Sequence, residues 1–464
     1  MSTSEAGLRE LMTGQLAVWY AQQLAPENRG FHSAEYLEIR GAVKPELLVE
    51  AARRRLHEAE SLRLRIRVID GTPWQYVHDE RDYPIQVVDL SDESDPRAAA
   101  EEWMRADLRR PAELDGGPLS SQAVIKLAEN LHFWFASAHH LVMDGRGGAV
   151  LATRGADIYN ALLEDRDLND GALGPVSVLL DAERAYRSSS EIEQDRQYWN
   201  DTLAGLPDDV LAGAAHVGPR SQRAPVRTAD GVGAQEAAAL KAAARRLKTN
   251  LAGLLITAAA VHEHRTTGAR DVVIGVLVRG RSGYREAGIP GMTSNVLPIR
   301  VTFDPWTTVA DAVRQTSRAV REGLRHGRYR HEEILRDLKM VDRVLCGLHI
   351  NVMAFDYDLQ FGDLPVTAHN LATGPVDGMR IDVYDRSGLQ INVDVNPDLH
   401  EAASTADVLR RFLNVVHWLA AAPATDPVGR ADLLDEAERR RLLVEWNDTA
   451  TEVPAGTLAE LFEA

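Results

Sequence analysis

The chain is predicted to be an α/β protein built from more than one compact unit. Three observations carry this. Strand-like and helix-like stretches alternate from the start to about Leu163, a Gly/Pro-marked break follows at Gly171 to Pro175, and a second run of helices and strands begins near Gln235. At 464 residues the chain is long enough to bury more than one core.

Leu8 to Leu24 has helical apolar spacing and stops at Ala25-Pro26. Tyr36 to Arg40 alternates as a strand does, and Pro45 to Ala59 is a helix with proline in its first turn. Leu62 to Val68 alternates apolar residues with arginine, the pattern of a half-buried strand. Trp74 to Val77 and Ile85 to Leu90 are short strands, Asp95 to Leu108 is a helix, and Gln122 to Leu127 is a strand placed to pair with the next one. That next strand, Leu131 to Ala136, is aromatic and apolar and runs into Ala138-His139-His140-Leu141-Val142-Met143-Asp144-Gly145. Arg146-Gly147-Gly148 then leads to Ala149 to Leu163, which reads as a helix, the glycines weakening any helix before it.

Two adjacent histidines thus stand where a buried strand ends, with a carboxylate four residues beyond the second. Neighbours on a strand point to opposite faces, so one histidine is free for chemistry while the other anchors the turn. A His-x-x-x-Asp metal pair is the competing reading, but no third ligand lies nearby and no metal is expected.

After the break, Leu179 to Trp199 is a charged helical region, and Gly213 to Gly233 reads as an extended segment or loop. Gln235 to Leu247 and Leu251 to Thr266 are helices, the latter closed by Gly268. Asp271 to Val278 is a buried strand, followed by the glycine-rich turn Arg279 to Gly283 and the segment Pro290 to Arg300. Thr308 to Leu324 and Ala406 to Ala420 are amphipathic helices.

A formal charge of -17 argues against a nucleic-acid surface, which needs clustered positive charge. The arginines from Arg321 to Arg336 are the local basic area on which an acidic partner could dock, although mixed Arg and Glu on a helix usually make a solvated face. Cys346 is the one cysteine, so neither an intrachain disulfide nor a cysteine zinc site is available. Residues 1–6 lack the pattern of a signal peptide, and no apolar helix candidate is long enough to cross a bilayer, so a cytoplasmic protein without membrane association is expected.

The string His-His-x-x-x-Asp-Gly in a strand–loop–helix setting resembles the signature of the condensation domains of nonribosomal peptide synthetases, relatives of chloramphenicol acetyltransferase. Further stretches resemble that family's motifs in order: the opening Met12-Thr13…Gln15…Trp19, Gly291-Met292-Thr293-Ser294-Asn295-Val296-Leu297-Pro298-Ile299-Arg300, His326 to Tyr329, Ile350 to Tyr357, and Gly374-Pro375-Val376-Asp377. The family's frequent Arg-His-Glu triplet is replaced by Ala59-Glu60-Ser61. Leu433 to Ala450 resembles the linker that precedes an adenylation domain, and Leu458 to Ala464 the start of that domain's first helix.

The resemblance implies two chloramphenicol-acetyltransferase-like halves in a V-shaped pseudo-dimer around a tunnel. Residues 1–174 would form the first half, 175–430 the second, and 431–464 the linker and truncated adenylation start. It implies amide formation between an acyl thioester donor and an aminoacyl acceptor, each on the 4'-phosphopantetheine arm of a carrier protein, with no cofactor bound by the domain itself. His140 is the implied catalytic residue. His139, Asp144, Gly145 and Arg281 are structural members of the motif, Gly145 for turn geometry and Arg281 (Arg279 as second choice) as the partner of Asp144. Arg146, Gly147, Asn295 and Asn351 are the tunnel candidates, with Arg146 read either as a gate for the acceptor or as a surface-pointing cation.

The expected partners are a donor acyl or aryl carrier protein arriving in trans, and downstream adenylation and peptidyl carrier domains of the same polypeptide. Phe355-Asp356-Tyr357 together with Gly374 to Asp377 resembles the condensation domains of the enterobactin-synthetase type, which take aryl acids. Heterocyclisation relatives carry aspartates in place of the histidines, and epimerisation relatives would not lead into an adenylation linker. A free-standing acyltransferase and a catalytically silent recruitment module are the remaining alternatives.

Overall fold

The computed structural model describes residues 7–79, 85–168, 173–207, 223–281, 283–340, 345–353, 359–400, 404–450 and 457–463. Met1 to Ala6, Gly171, Ser282, the 213–222 part of the Gly/Pro-rich segment, and Ala354 to Tyr357 lie outside them.

Fourteen strands are formed among the described residues: β1 (Arg9–Glu10), β2 (His32–Arg40), β3 (Leu64–Ile69), β4 (Thr72–Val77), β5 (Gln86–Asp89), β6 (Ser120–Ala128), β7 (Leu131–His139), β8 (Val226–Gly233), β9 (Asp271–Val278), β10 (Asn295–Thr302), β11 (Leu348–Met353), β12 (Val366–Thr373), β13 (Met379–Arg386) and β14 (Gly388–Val395). They build three sheets in the orders β1-β4-β3, β12-β2-β7-β6-β5 and β10-β9-β11-β13-β14-β8. The five-stranded sheet is covered on one face by the helices Pro45–Glu58 and Gly145–Leu163, which meet Leu37, Trp134 and Val124. Its other face is covered by the helix Pro96–Leu108 over Phe133 and Phe135. The six-stranded sheet buries its outer face under Leu251–Thr267, Val309–Arg325 and Ser404–Ala421. Each fully buried Leu, Val or Ile there contributes about 1.5–3 kcal/mol.

β12 comes from the second half of the sequence but pairs antiparallel with β2 of the first, from Val366 opposite Ile39 to Thr373 opposite Ser33. The first sheet is therefore completed by a strand lent from the far side of the molecule.

Most predicted elements are present. Strands β12, β13 and β14 form where no element is predicted, the region Leu179 to Trp199 is two helices, Ser177–Arg187 and Glu191–Leu203, and four further differences follow. Leu8 to Leu11 is not helical: β1 pairs with β4, and the helix runs Thr13–Leu24 behind Met12. Residues Glu60–Arg63 form a 3₁₀ turn, so the arginine-rich strand begins at Leu64. Glu60, where the family triplet is absent, accepts from the Val176 amide at 2.9 Å. The third difference is β8, an edge strand within the segment read as loop or extended chain; its Gly and polar residues fit an edge, which needs only one ladder of hydrogen bonds. Last, the helix after the histidines begins at Gly145, not Ala149.

Candidate active site

His139 and His140 leave the end of β7 in opposite directions, as alternation requires. His139 is fully buried. Its Nδ1 accepts from the Leu141 amide at 3.1 Å, and its Nε2 lies 3.2 Å from Gln22 Oε1. Gln22 is itself fixed, donating to the carbonyls of Ala25 and Asn28. Burial, and then the neighbouring His32 and His140, hold His139 well below the ordinary histidine pKa. It is a neutral anchor.

His140 is pinned by its backbone, whose amide donates to Phe31 O at 2.7 Å, while its imidazole lines a cavity of about 910 Å³ between the two halves. Nδ1 has no hydrogen-bond partner among the described residues. Burial pushes the ring below the ordinary histidine range, the charge of Asp144 opposes that, and Arg380 adds to it.

Asp144 accepts five donors. Arg281 Nη1 reaches both carboxylate oxygens at 3.0 Å, the Gly147 amide donates to Oδ1 at 2.8 Å, and Oδ2 takes the Thr293 amide (2.9 Å), Thr293 Oγ1 (3.1 Å) and the Ser294 amide (3.1 Å). The pair is almost without solvent contact, with Arg281 2% and Asp144 1% exposed. Asp144 is also the N-cap of Gly145–Leu163, which explains why a helix starts among three glycines: the carboxylate satisfies a free amide and favours the positive helix end. One side chain therefore sets the angle of the helix behind His140 and ties the first half to the second. Arg279 contributes only its carbonyl, which accepts from Thr293 Oγ1, and its side chain lies at the cavity.

The remaining site candidates divide. Arg146 and Asn351 line the cavity, and Asn351 donates to Asp382 at 2.9 Å. Gly145 also lines it, but without a positive φ; it leaves open the space into which a side chain would project, so turn geometry is not what requires it. Gly147 does not line it: a Cβ there would sit 2.5 Å from Met143 Sδ and 3.1 Å from Gly291 N, so this glycine allows two backbones to touch. Asn295 does not line it either. Its Nδ2 donates to the carbonyls of Gly327 and Tyr329 and its Oδ1 accepts from His331 N, locking two loops together.

Several participants carry no signal that reading residues in isolation would find. Gly374 (φ 89°) is held in place by its amide N–H, which donates a hydrogen bond to His32 O at 3.1 Å, and an added Cβ would lie 2.1 Å from His140 Cδ2 and 2.5 Å from Nε2. It is the wall against which the imidazole rests. Gly374→Ala is expected to leave far-ultraviolet circular dichroism unchanged and to lower the rate of amide formation about 100-fold, because the ring must move by most of an ångström. Exposed Lys248, Asn250, Arg279 and Arg321 stand where the cavity meets solvent, giving it a basic mouth. Of the predicted arginine patch, Arg321 belongs to this mouth, whereas Arg325 pairs with Glu322 and Arg330 with Glu332. Among the described residues, no group of three His, Cys, Asp or Glu could hold a metal ion, and no helix is long and apolar enough to cross a membrane.

A histidine over a deep cavity between two α/β halves, fixed by a buried Asp–Arg pair, defines an acyltransferase of the His-His-x-x-x-Asp-Gly class. The condensation-domain family model matches residues 7–443, and the chain belongs to that family. It is 37% identical over 98% of its length to a dimodular nonribosomal peptide synthase of Bacillus subtilis (strain 168). It is 35% identical over 89% of its length to an isonitrile lipopeptide synthase of Streptomyces coeruleorubidus, and 28% identical over 97% to enterobactin synthase component F of Escherichia coli O157:H7. The chain spans only 19%, 28% and 35% of those relatives' own lengths.

Among solved structures it resembles a variant of the starter condensation domain of rhizomide synthetase in complex with C8-CoA (TM-score 0.86, 33% identity, 92% of this chain and 98% of that one). It also resembles the first condensation domain of the calcium-dependent antibiotic synthetase with a substrate analogue (TM-score 0.85, 30% identity, 93% and 100%). The fold is thus that of the chloramphenicol-acetyltransferase-like condensation domains, amide-forming acyltransferases of nonribosomal peptide synthesis.

Proposed function

We propose that this domain joins an acyl or aryl donor, held as a thioester on a carrier protein acting in trans, to an aminoacyl acceptor on a downstream carrier. The observation that carries this is His140, whose imidazole stands at a cavity large enough for two substrates and opening through basic side chains. In this reading the mouth formed by Lys248, Arg279 and Arg321 receives the phosphate of a phosphopantetheine arm, a singly charged ester that a ring of cations attracts. No cofactor is held by the domain itself. The acceptor amine attacks the thioester carbonyl as the C–N bond forms. His140, neutral at pH 7, takes the ammonium proton, the C–S bond breaks, and the proton leaves with the departing thiol. Asp144, His139 and Arg281 position; they do not touch substrate. Asn351 lines the path of the reacting groups, and Arg146, on the first helical turn, controls entry of the acceptor.

Residues 1–174 and 175–430 are read as the two halves and 431–464 as the linker and beginning of an adenylation domain, with the whole assembly in the cytoplasm. An aryl donor is favoured by the likeness to enterobactin synthase component F, of which this chain covers a third or so. The test is mass spectrometry of a loaded acceptor carrier after incubation with a panel of donor carriers. Transfer of an acyl group to the acceptor amine is expected. A silent protein with every charged pair would reject the reading, and acceptor selectivity unchanged in Arg146→Ala would remove that residue from its role. A free-standing transferase onto a soluble amine would instead acylate the free amino acid in the same assay.

A further inference from the structure

The face of β7 that carries His140 also carries, going back along the strand, Ala138, Ala136 and Trp134, because alternate residues share a face. Ala136 lies between Glu35 of β2 and Gln122 of β6, and Ala138 between Ser33 and Ser120. Two alanines in the middle of a sheet flanked by longer side chains leave a trough. It belongs to the same cavity as His140 and is roofed by Gly148, Leu151 and Ala152 of Gly145–Leu163. At ~3.3 Å per residue, four residues take it about 13 Å from His140. Trp134, Gln122 and Arg55 close its far end.

Arg55 is unusual. It projects from the helix Pro45–Glu58 and is only 4% exposed. Its guanidinium carbon lies 4.3 Å from the centre of the Trp134 ring. One amine donates to Gln122 Oε1 and another reaches Leu151 O at 3.4 Å. Nε has no partner, and neither has Nε2 of Gln122, which is 2% exposed. No carboxylate pairs with Arg55 among the described residues; the nearest acidic residue of its helix, Glu58, is taken by Arg154. Burial lowers this guanidinium to about 9, which still leaves it charged at neutral pH. A buried cation with free donors and no counter-ion is costly, and the missing partner fits as part of a ligand.

We propose that the trough holds the acyl group of the donor, and that Arg55 and Gln122 recognise a carboxylate or phenolic oxygen at its distal end. This rests on His140 being the reaction centre. A straight trough of this length suits an extended acyl chain or a substituted ring better than an aminoacyl side chain, which branches beside the reacting amine. Glu35, on the opposite flank of Ala136, directs such an oxygen towards the Arg55 wall.

The test is calorimetric binding of stable amide analogues of acyl-pantetheine, so that no turnover is needed. Two pairs are compared: octanoyl against its ω-carboxylate counterpart, and benzoyl against 3-hydroxybenzoyl. The wild type is expected to bind at least one oxygen-bearing member about tenfold tighter than its partner. Arg55→Met should bring that ratio close to one while octanoyl binding is kept, and Arg55→Lys should retain part of it. If Arg55→Met does not fold, Gln122→Met replaces it, with an expected loss of about threefold in the ratio. A wild type that prefers the oxygen-free member of both pairs, or a ratio that ignores the substitutions, overturns the proposal. A preference seen only with a glutamyl analogue assigns the trough to the acceptor and overturns it as well. A domain that binds with the expected preference yet forms no amide refutes the catalytic reading alone.

Discussion

Asp144→Ala is expected to abolish amide formation and to lower the stability to chemical denaturation by about 3–5 kcal/mol, the range for removing one partner of a buried ion pair. The cause is more than a lost attraction. Arg281 is left buried and charged, and the amides of Gly147, Thr293 and Ser294 lose their acceptor at once. The helix Gly145–Leu163 also loses its cap, an effect of about 1 kcal/mol by itself. Asp144→Asn should fall between, since an amide oxygen still caps the helix but cannot neutralise Arg281. The double variant Asp144→Leu, Arg281→Met separates the two roles: part of the stability should return, because no charge is left unpaired, while activity should not. Full recovery of activity in the double variant would show that the pair does not orient the site.

His140→Ala should give the opposite profile. The ring lines a cavity and forms no ion pair among the described residues, so unfolding should change little. The rate should fall about 10²–10⁴-fold, the usual contribution of general acid–base catalysis, worth ~3–5 kcal/mol. Residual turnover is expected, because holding two tethered reactants in register can supply about 7–11 kcal/mol without any proton acceptor. The pH profile carries a sign. Only neutral imidazole accepts a proton, and burial holds the pKa of His140 below its ordinary value. Activity should therefore be flat through neutrality and fall only as pH drops below the usual histidine range, about 6.5. Since the charge of Asp144 raises this pKa, Asp144→Asn should move the acid limb lower still. An acid limb above neutrality would contradict a buried, neutral base.

The sequence exposed the strand–His–His–helix unit because the chemistry and the local geometry coincide in eight consecutive residues. Asp144–Arg281 was legible only through family resemblance, since 137 positions separate the partners and nothing in the local pattern joins them. Gly147 and Asn295 belong to motifs beside the cavity without lining it, because motif membership does not require contact with substrate. Their positions instead show what such residues do beside a site: one lets backbones touch, the other bolts loops together. The role of Gly374, although it stands in a motif, and that of Arg55 are not legible for a different reason. A glycine's conformation and a cation's missing counter-ion are properties of what surrounds a residue, not of the residue. Strand β8 escaped because glycine and polar residues at a sheet margin look like coil.

The loan of β12 across the molecule has a consequence for dissecting it. A first half expressed alone would expose the unpaired backbone of β2 from Ser33 to Ile39, an open hydrogen-bonding edge beside a histidine pair. Such a fragment invites self-association, and Gly374, which follows β12 directly, would leave with it. A crossover between the two halves would therefore replace the wall behind the reactive imidazole as well as the substrate surface opposite.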